Sequence, residues 1–192
     1  MHKQRVVIIM GSRRDLSFAA PIGRVLEHFG VDYEYRIASA HKTPEELLDI
    51  LGEYERSGDS VVYVTVAGFS NALSGLVDAN TRHPVIACPP YSEKFGGADI
   101  YSSLRTPSGV APLVVLNPEN AALAAVKMLG LENPALSEKV YQFQLEKKRE
   151  VNTADNEVKG KKVSDLEKDW QRRNNELVRK TFFAKREGQG HL

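Results

Sequence analysis

Cysteine is nearly absent from this chain: Cys88 is the one thiol in 192 residues. A disulfide within the chain and a multi-thiolate metal cluster are therefore excluded. A reducing, cytoplasmic setting is the expectation. Long apolar runs are missing as well. The opening MHKQRVVIIMGS holds five consecutive apolar residues, at positions 6–10, too few for the core of a signal peptide. No stretch approaches the roughly 20 apolar residues of a membrane-spanning helix, so no membrane partner is expected. Net charge is close to balance at +1, which gives the chain as a whole no attraction to nucleic acid or another polyanion. There is no metal-ligand cluster, no glycine-rich loop ending in Lys-Ser/Thr, and no serine or cysteine nucleophile motif. Metal-assisted hydrolysis, mononucleotide-loop chemistry and covalent acyl transfer have no support, and no cofactor is expected.

What is present is ordinary in amount and informative in arrangement. Hydrophobic residues make up 42% and charged residues 27%, enough for one domain with a sizeable core. Residues 1–146 carry 13 basic and 17 acidic side chains, net −4; residues 147–192 carry 13 and 8, net +5. The last part is thus a different kind of segment, and the expected division is a domain over 1–150 and a helical extension over 151–192.

Five strand-like runs alternate with helical ones. RVVIIM is continuous and β-branched, as in a strand buried on both faces. DYEYRIA alternates, which suits a place nearer the sheet edge. SVVYVTVAG, PVIACPP and GVAPLVVL follow. The first helix is expected to start from Ser17 as N-cap, with Pro21 at its fourth position, and to stop at Gly30. The second is expected to open on a capping box of Thr43 and Glu46 with Pro44 in the first turn. Repeated strand–helix units imply a parallel sheet between two helical layers. The fold expected is α/β, a flavodoxin-like three-layer sandwich with ligands at the carboxyl ends of its strands. Beyond it, PALSEKVYQFQLEKKREV reads as a helix, NTADNEVKGKK as a polar break, and VSDLEKDWQRRNNELVRKTFF as an amphipathic helix with Val163, Leu166, Trp170, Leu177 and Phe182 on one face.

The strand-end loops GSRRD, ASAHKTP, AGFSN and CPPYSE, with SSLRTPSG from the last connection, are rich in small and polar residues. Small residues let a ligand reach backbone N–H groups, and helix N-termini behind such loops favour an anion. His41 lies in the second of these loops, beside Ser39 and Lys42 and just before a helix start. An imidazole titrates near neutrality and can take or give one proton. His2, His28, His83 and His191 lack this setting. Residue inventory alone supports proton transfer on a bound phosphorylated small molecule.

The ordered set GSRRD, SAHKTP, AGFSNALSG, CPP and ADIYSSLRTPSG resembles the PurE family of purine biosynthesis over about residues 5–150. That family comprises aminoimidazole ribonucleotide (AIR) carboxylases and carboxyaminoimidazole ribonucleotide mutases. SAHK, SNALSG and CPP are similar to the class II, carboxylase branch. The resemblance implies carboxylation of a nucleotide substrate, AIR, by carbon dioxide without biotin, ATP or metal. It implies His41 as general acid/base. Ser12, Asp15 and Ser39 would hold the ribose phosphate and hydroxyls, with Gly11, Ala40 and Lys42 completing the wall. Gly68, Ser70 and Asn71 would line the base and carbon dioxide region, and Ser103 and Leu104 would close the substrate loop. A homo-octamer is implied too, and the small-residue helix NAALAAVKML and the tail would have neighbours to pack on.

Two residues depart from the family pattern. Arg14 stands where the first loop usually has a second serine, and Phe69 where the third loop usually has arginine. Arg14 is a possible phosphate contact that replaces the charge missing at 69. The same departures keep open a phosphate-ligand-binding paralogue without turnover; a mutase, which differs in the source of the carboxyl group, is the other alternative.

Overall fold

The computed structural model describes residues 3–172 and residue 174. His2, Leu177, Phe182 and His191 fall outside the described residues. The strands are β1 (Gln4–Met10), β2 (Asp32–Ile37), β3 (Ser60–Val66), β4 (Val85–Ala87) and β5 (Leu113–Val114). The main helices are α1 (Leu16–Phe29), α2 (Pro44–Ser57), α3 (Ala72–Asp78), the short α4 (Tyr101–Leu104), α5 (Pro118–Gly130) and α6 (Pro134–Val158). All strand pairs are parallel, in the order β2-β1-β3-β4-β5. This is the flavodoxin-like order read from the strand–helix alternation, with the alternating β2 at an edge and the apolar β1 inside.

Both faces of the sheet are covered. Val7, Ile9, Val61 and Tyr63 pack with Leu47, Ile50, Leu51 and Tyr54 of α2 and with Leu73 and Val77 of α3. Strand residues alternate in direction, so Val6 and Ile8 serve the other face, where α1 and α5 pack together. Ala121, Ala122 and Ala125 of α5 are fully buried there. Three of the four alanines of NAALAAVKML are thereby used inside the chain, and Ala124 is half-buried. Cys88, just past β4, is also fully buried, and its thiol faces the Leu116 carbonyl at 3.8 Å.

Three local readings are corrected. Ser17 is not the N-cap of α1. The chain first makes a 3₁₀ turn, Arg13–Asp15, capped by Ser12, and α1 starts at Leu16 with Asp15 as N-cap. Pro21 is therefore inside the helix, where it removes a hydrogen bond to the carbonyl of the exposed Ser17, a position open to solvent. Thr43 is the N-cap residue of α2, but its side chain makes no cap hydrogen bond. It turns back to the preceding loop, as described below. Finally, NTADNEV is no break: α6 runs through it to Val158. Asn, Thr and Asp each cost only a few tenths of a kcal/mol in a helix. The stop comes at Gly160, whose φ of +74° suits a residue without a side chain.

The chain divides into two compact units between Gln142 and Phe143. In the first, Gln4 donates to the Leu129 carbonyl and accepts from Asn133, and Lys139 donates to the Phe29 carbonyl. In the second, Val158, Val163, Leu166 and Trp170 line an apolar cleft of about 410 Å³.

Glu55, at the carboxyl end of α2, gathers Thr81, Arg82 and His83. The Thr81 hydroxyl donates to it at 2.6 Å, Arg82 pairs with it at 3.0 Å, and the His83 ring lies 3.6 Å away. Burial pushes His83 below its ordinary value of 6.5, and Glu55 only partly offsets this. Burial raises the Glu55 carboxyl, but the Thr81 and Arg82 hydrogen bonds and both neighbouring cations outweigh it and hold the group below 4.5. Both groups bind protons more weakly folded than unfolded, so both withdraw stability on acidification. The His83 contribution is complete above pH 6.5 and fades as pH falls through that value; the Glu55 contribution fades below 4.5. The melting temperature is expected to fall between pH 7 and 5, and His83→Gln is expected to flatten that fall. An unchanged profile in His83→Gln would assign the slope elsewhere.

Candidate active site

Three loops meet where the strand order reverses, between β1 and β3. They follow β1, β2 and β3 and enclose a cavity of about 610 Å³. Its wall is Gly11, Ser12, Arg14, Asp15, Ser39, Ala40, His41, Lys42, Ala67, Gly68, Phe69, Ser70 and Leu73. In an open α/β sheet this switch point is where two neighbouring loops part and leave a crevice.

The first loop is held by its own side chains. The Asp15 carboxylate accepts from the Ser12 amide at 2.9 Å and the Ser12 hydroxyl at 3.1 Å, and Ser12 Oγ accepts from the Arg14 amide at 3.2 Å. The Gly11 amide donates to the Val66 carbonyl at 2.9 Å, which ties the ends of β1 and β3. A side chain at Gly11 would meet Ala67 Cβ at 3.3 Å, a tight contact that a glycine avoids where these loops approach.

The second loop is a closed turn. The Ser39 carbonyl accepts from the Lys42 amide at 3.2 Å and the Thr43 amide at 2.9 Å. Thr43 Oγ1 accepts from the Ser39 amide at 3.0 Å. The hydroxyl expected to cap α2 instead rigidifies this turn. His41 sits at its tip, exposed, directly before the α2 N-terminus at Pro44. His41 is the only histidine among the described residues that lines the cavity. Arg14 and Lys42 are exposed on the same wall, and neither has a carboxylate partner among the described residues.

The third loop is braced from behind. Asn71 is 3% exposed and caps α3 by accepting from the Ser74 amide at 3.2 Å. Its side-chain amide donates to the buried Ser103 hydroxyl at 2.9 Å. Its backbone amide donates to Ser102 Oγ, also at 2.9 Å. Pro90 packs against Gly68, 3.3 Å from where a Cβ would be.

Of the residues singled out in the sequence, Gly11, Ser12, Arg14, Asp15, Ser39, Ala40, His41, Lys42, Gly68 and Ser70 share the cavity wall. Asn71 and Ser103 lie behind it as a hydrogen-bonded pair, and Leu104 is exposed away from it. Ala67 and Leu73 line the cavity and were missed. Ala67 directly follows a strand and Leu73 falls in the first turn of the next helix, so the strand-end position was the available signal.

A parallel sheet with a cation-flanked cavity and one imidazole at its switch point defines a small-molecule site suited to proton transfer. A family model described as AIR carboxylase matches residues 5–150. A phosphoribosylaminoimidazole carboxylase of Archaeoglobus fulgidus is 59% identical over 81% of this chain and 85% of its own length. A Treponema denticola phosphoribosylaminoimidazole carboxylase is 44% identical over 80% of this chain and 97% of its own. The crystal structure of Treponema denticola PurE superposes with a TM-score of 0.80 at 43% identity, covering 82% of this chain and 99% of that one. The chain belongs to the AIR carboxylase (PurE) family.

Proposed function

We propose that the protein carboxylates AIR with carbon dioxide to give the 4-carboxy nucleotide in purine biosynthesis, with His41 as general acid/base. The observation that carries this reading is the placement of His41. It stands at the tip of a turn closed by Ser39 and Thr43, on the wall of a cavity at the sheet's switch point. The AIR ring is enamine-like. Its ring carbon attacks carbon dioxide, a carbon–carbon bond forms, and one C=O electron pair moves onto oxygen to give the carboxylate. The attacking ring carbon then carries both the new carboxylate and its original hydrogen. Neutral His41 takes that proton, and the C–H electron pair returns to the ring and restores aromaticity. The same imidazole, protonated, returns a proton to that carbon in the reverse direction.

Arg14 and Lys42, both without a carboxylate partner among the described residues, favour the substrate's phosphate on the first- and second-loop side. Ser12, Asp15 and Ser39 stand on that side for the ribose hydroxyls. The free oxygen of Asp15 is the suited acceptor, since Ser12 occupies Oδ2. The test is to incubate the protein with AIR and bicarbonate without ATP; formation of the carboxylated nucleotide is expected, and its absence would reject the activity.

Arg14→Ser is expected to weaken AIR binding roughly tenfold or more, the worth of one charge-assisted contact. Titration calorimetry reads this, and equal or tighter binding by Arg14→Ser would remove Arg14 from the phosphate site.

The functional assembly is a homo-octamer in the cytoplasm. With three of the four α5 alanines buried inside the chain, support for assembly comes from apolar side chains left exposed: Leu113 at 50%, Leu116 at 56% and Leu131 at 86%. Light scattering that shows only a 21.4 kDa species would reject assembly.

A further inference from the structure

Phe69 is the only non-glycine with positive φ among the described residues, at +59°. For a bulky side chain this left-handed conformation is a true outlier, and such strain persists only where surrounding structure enforces it. Here the surrounding structure is identifiable. The next but one residue, Asn71, is pinned by Ser102 and Ser103, and Ser102 Oγ, which donates to Asp99 O at 2.7 Å, also lies 3.3 Å from Phe69 O. The strain is not repaid by core packing, because the residue is 58% exposed. Instead the ring lines the cavity and meets Phe95 edge to face, with centroids 5.7 Å apart and planes at 89°. An aromatic pair of this geometry sets the orientation of both rings.

The cavity wall is two-sided in chemistry. The first and second loops contribute Ser12, Arg14, Asp15, Ser39, His41 and Lys42; the third contributes Ala67, Gly68, Phe69 and Leu73, with Ser70 its one polar side chain. A ligand with an anionic end and a flat ring has one way to satisfy both walls. We infer that Phe69 is a specificity-determining residue whose ring, oriented by Phe95, stacks on the heterocycle of the nucleotide substrate. This rests on the reading of the cavity as an AIR site, and it assigns the ring-recognising surface to a residue that the strained loop holds out of the core.

The experiment compares AIR with ribose 5-phosphate, which lacks the ring, across Phe69→Gly, Phe69→Tyr and Phe95→Ala. Base–aromatic stacking contributes roughly tenfold or more in affinity. Phe69→Gly is expected to lose about that factor for AIR and nothing for ribose 5-phosphate. It should also melt at the same temperature or higher, because glycine relieves the positive φ. A structural role predicts the opposite pairing of stability and affinity. Phe69→Tyr, which keeps the π face, should bind AIR as the parent does. Phe95→Ala should weaken AIR a few-fold and leave ribose 5-phosphate alone. Equal AIR affinity in Phe69→Gly and parent overturns the inference, as does parallel loss for both ligands. A parent protein with no preference for AIR over ribose 5-phosphate overturns the substrate reading itself, and the inference with it.

Discussion

His41→Asn is expected to lower kcat by about 10²–10⁴-fold, the usual loss when a general acid/base is removed. The fold should not notice. The turn is closed by Ser39 and Thr43 through backbone and hydroxyl hydrogen bonds, and none of these uses the imidazole. The ring is exposed, so its removal leaves no cavity and no buried partner without a bond. The melting temperature and the affinity for AIR should therefore stay near the parent's while turnover is lost. A variant with near-normal turnover would transfer the proton-handling role to another group. A variant that unfolds early would contradict the self-sufficiency of the turn.

Asn71→Ala is expected to act on stability as strongly as His41→Asn acts on rate. The side chain is buried and makes two hydrogen bonds of different purpose. Its carbonyl caps α3 at Ser74, and its amide reaches the Ser103 hydroxyl. Loss of the cap costs about 1 kcal/mol. A buried group deprived of its partner costs about 1–3 kcal/mol more. The sum of about 2–4 kcal/mol corresponds to a fall in melting temperature of roughly 5–15 °C for a chain of this size. Ser103→Ala removes the same bond from the other side, so the double variant should cost less than the two single ones together. Additivity in that cycle would mean that the pair is not coupled. Activity should fall as well, since Phe69 and Ser70 hang from the segment that Asn71 fixes.

The sheet was legible because its signals are collective. A β-branched run such as residues 6–10 can be satisfied only by burial on both sides, and the alternation at 32–37 only by a half-covered strand. The loops that meet at the switch point follow from the strand order, so most of the cavity wall could be named before any coordinates. What escaped were choices between near-equal local options. The Thr43 hydroxyl had two N–H groups within reach, one in its own helix and one at Ser39, and the sequence pattern of a capping box describes only the first. Ser12 and Ser17 both suit a helix start; Asp15, three residues after Ser12, closes the earlier one. The stretch 152–158 is polar but contains neither glycine nor proline, so polarity was mistaken for a break. Asn71 and Ser103 are 32 residues apart, and nothing local to either marks the hydrogen bond between them. Asn71 therefore read as a ligand group when its side chain is turned inward.

The burial of Cys88 has a consequence for the chemistry this protein can tolerate. Desolvation, with a smaller effect of Glu119, pushes its thiol up to about 12. Oxidants and alkylating agents attack the thiolate, not the thiol, and at neutral pH this sulfur has almost none to offer. Peroxide and disulfide exchange are thus expected to be slow at the one sulfhydryl of the folded chain. A cysteine introduced at an exposed cavity position, Ser70 for example, would be the sole nucleophilic sulfur on the surface. A fluorophore or spin label could be attached there with the native residue left in place.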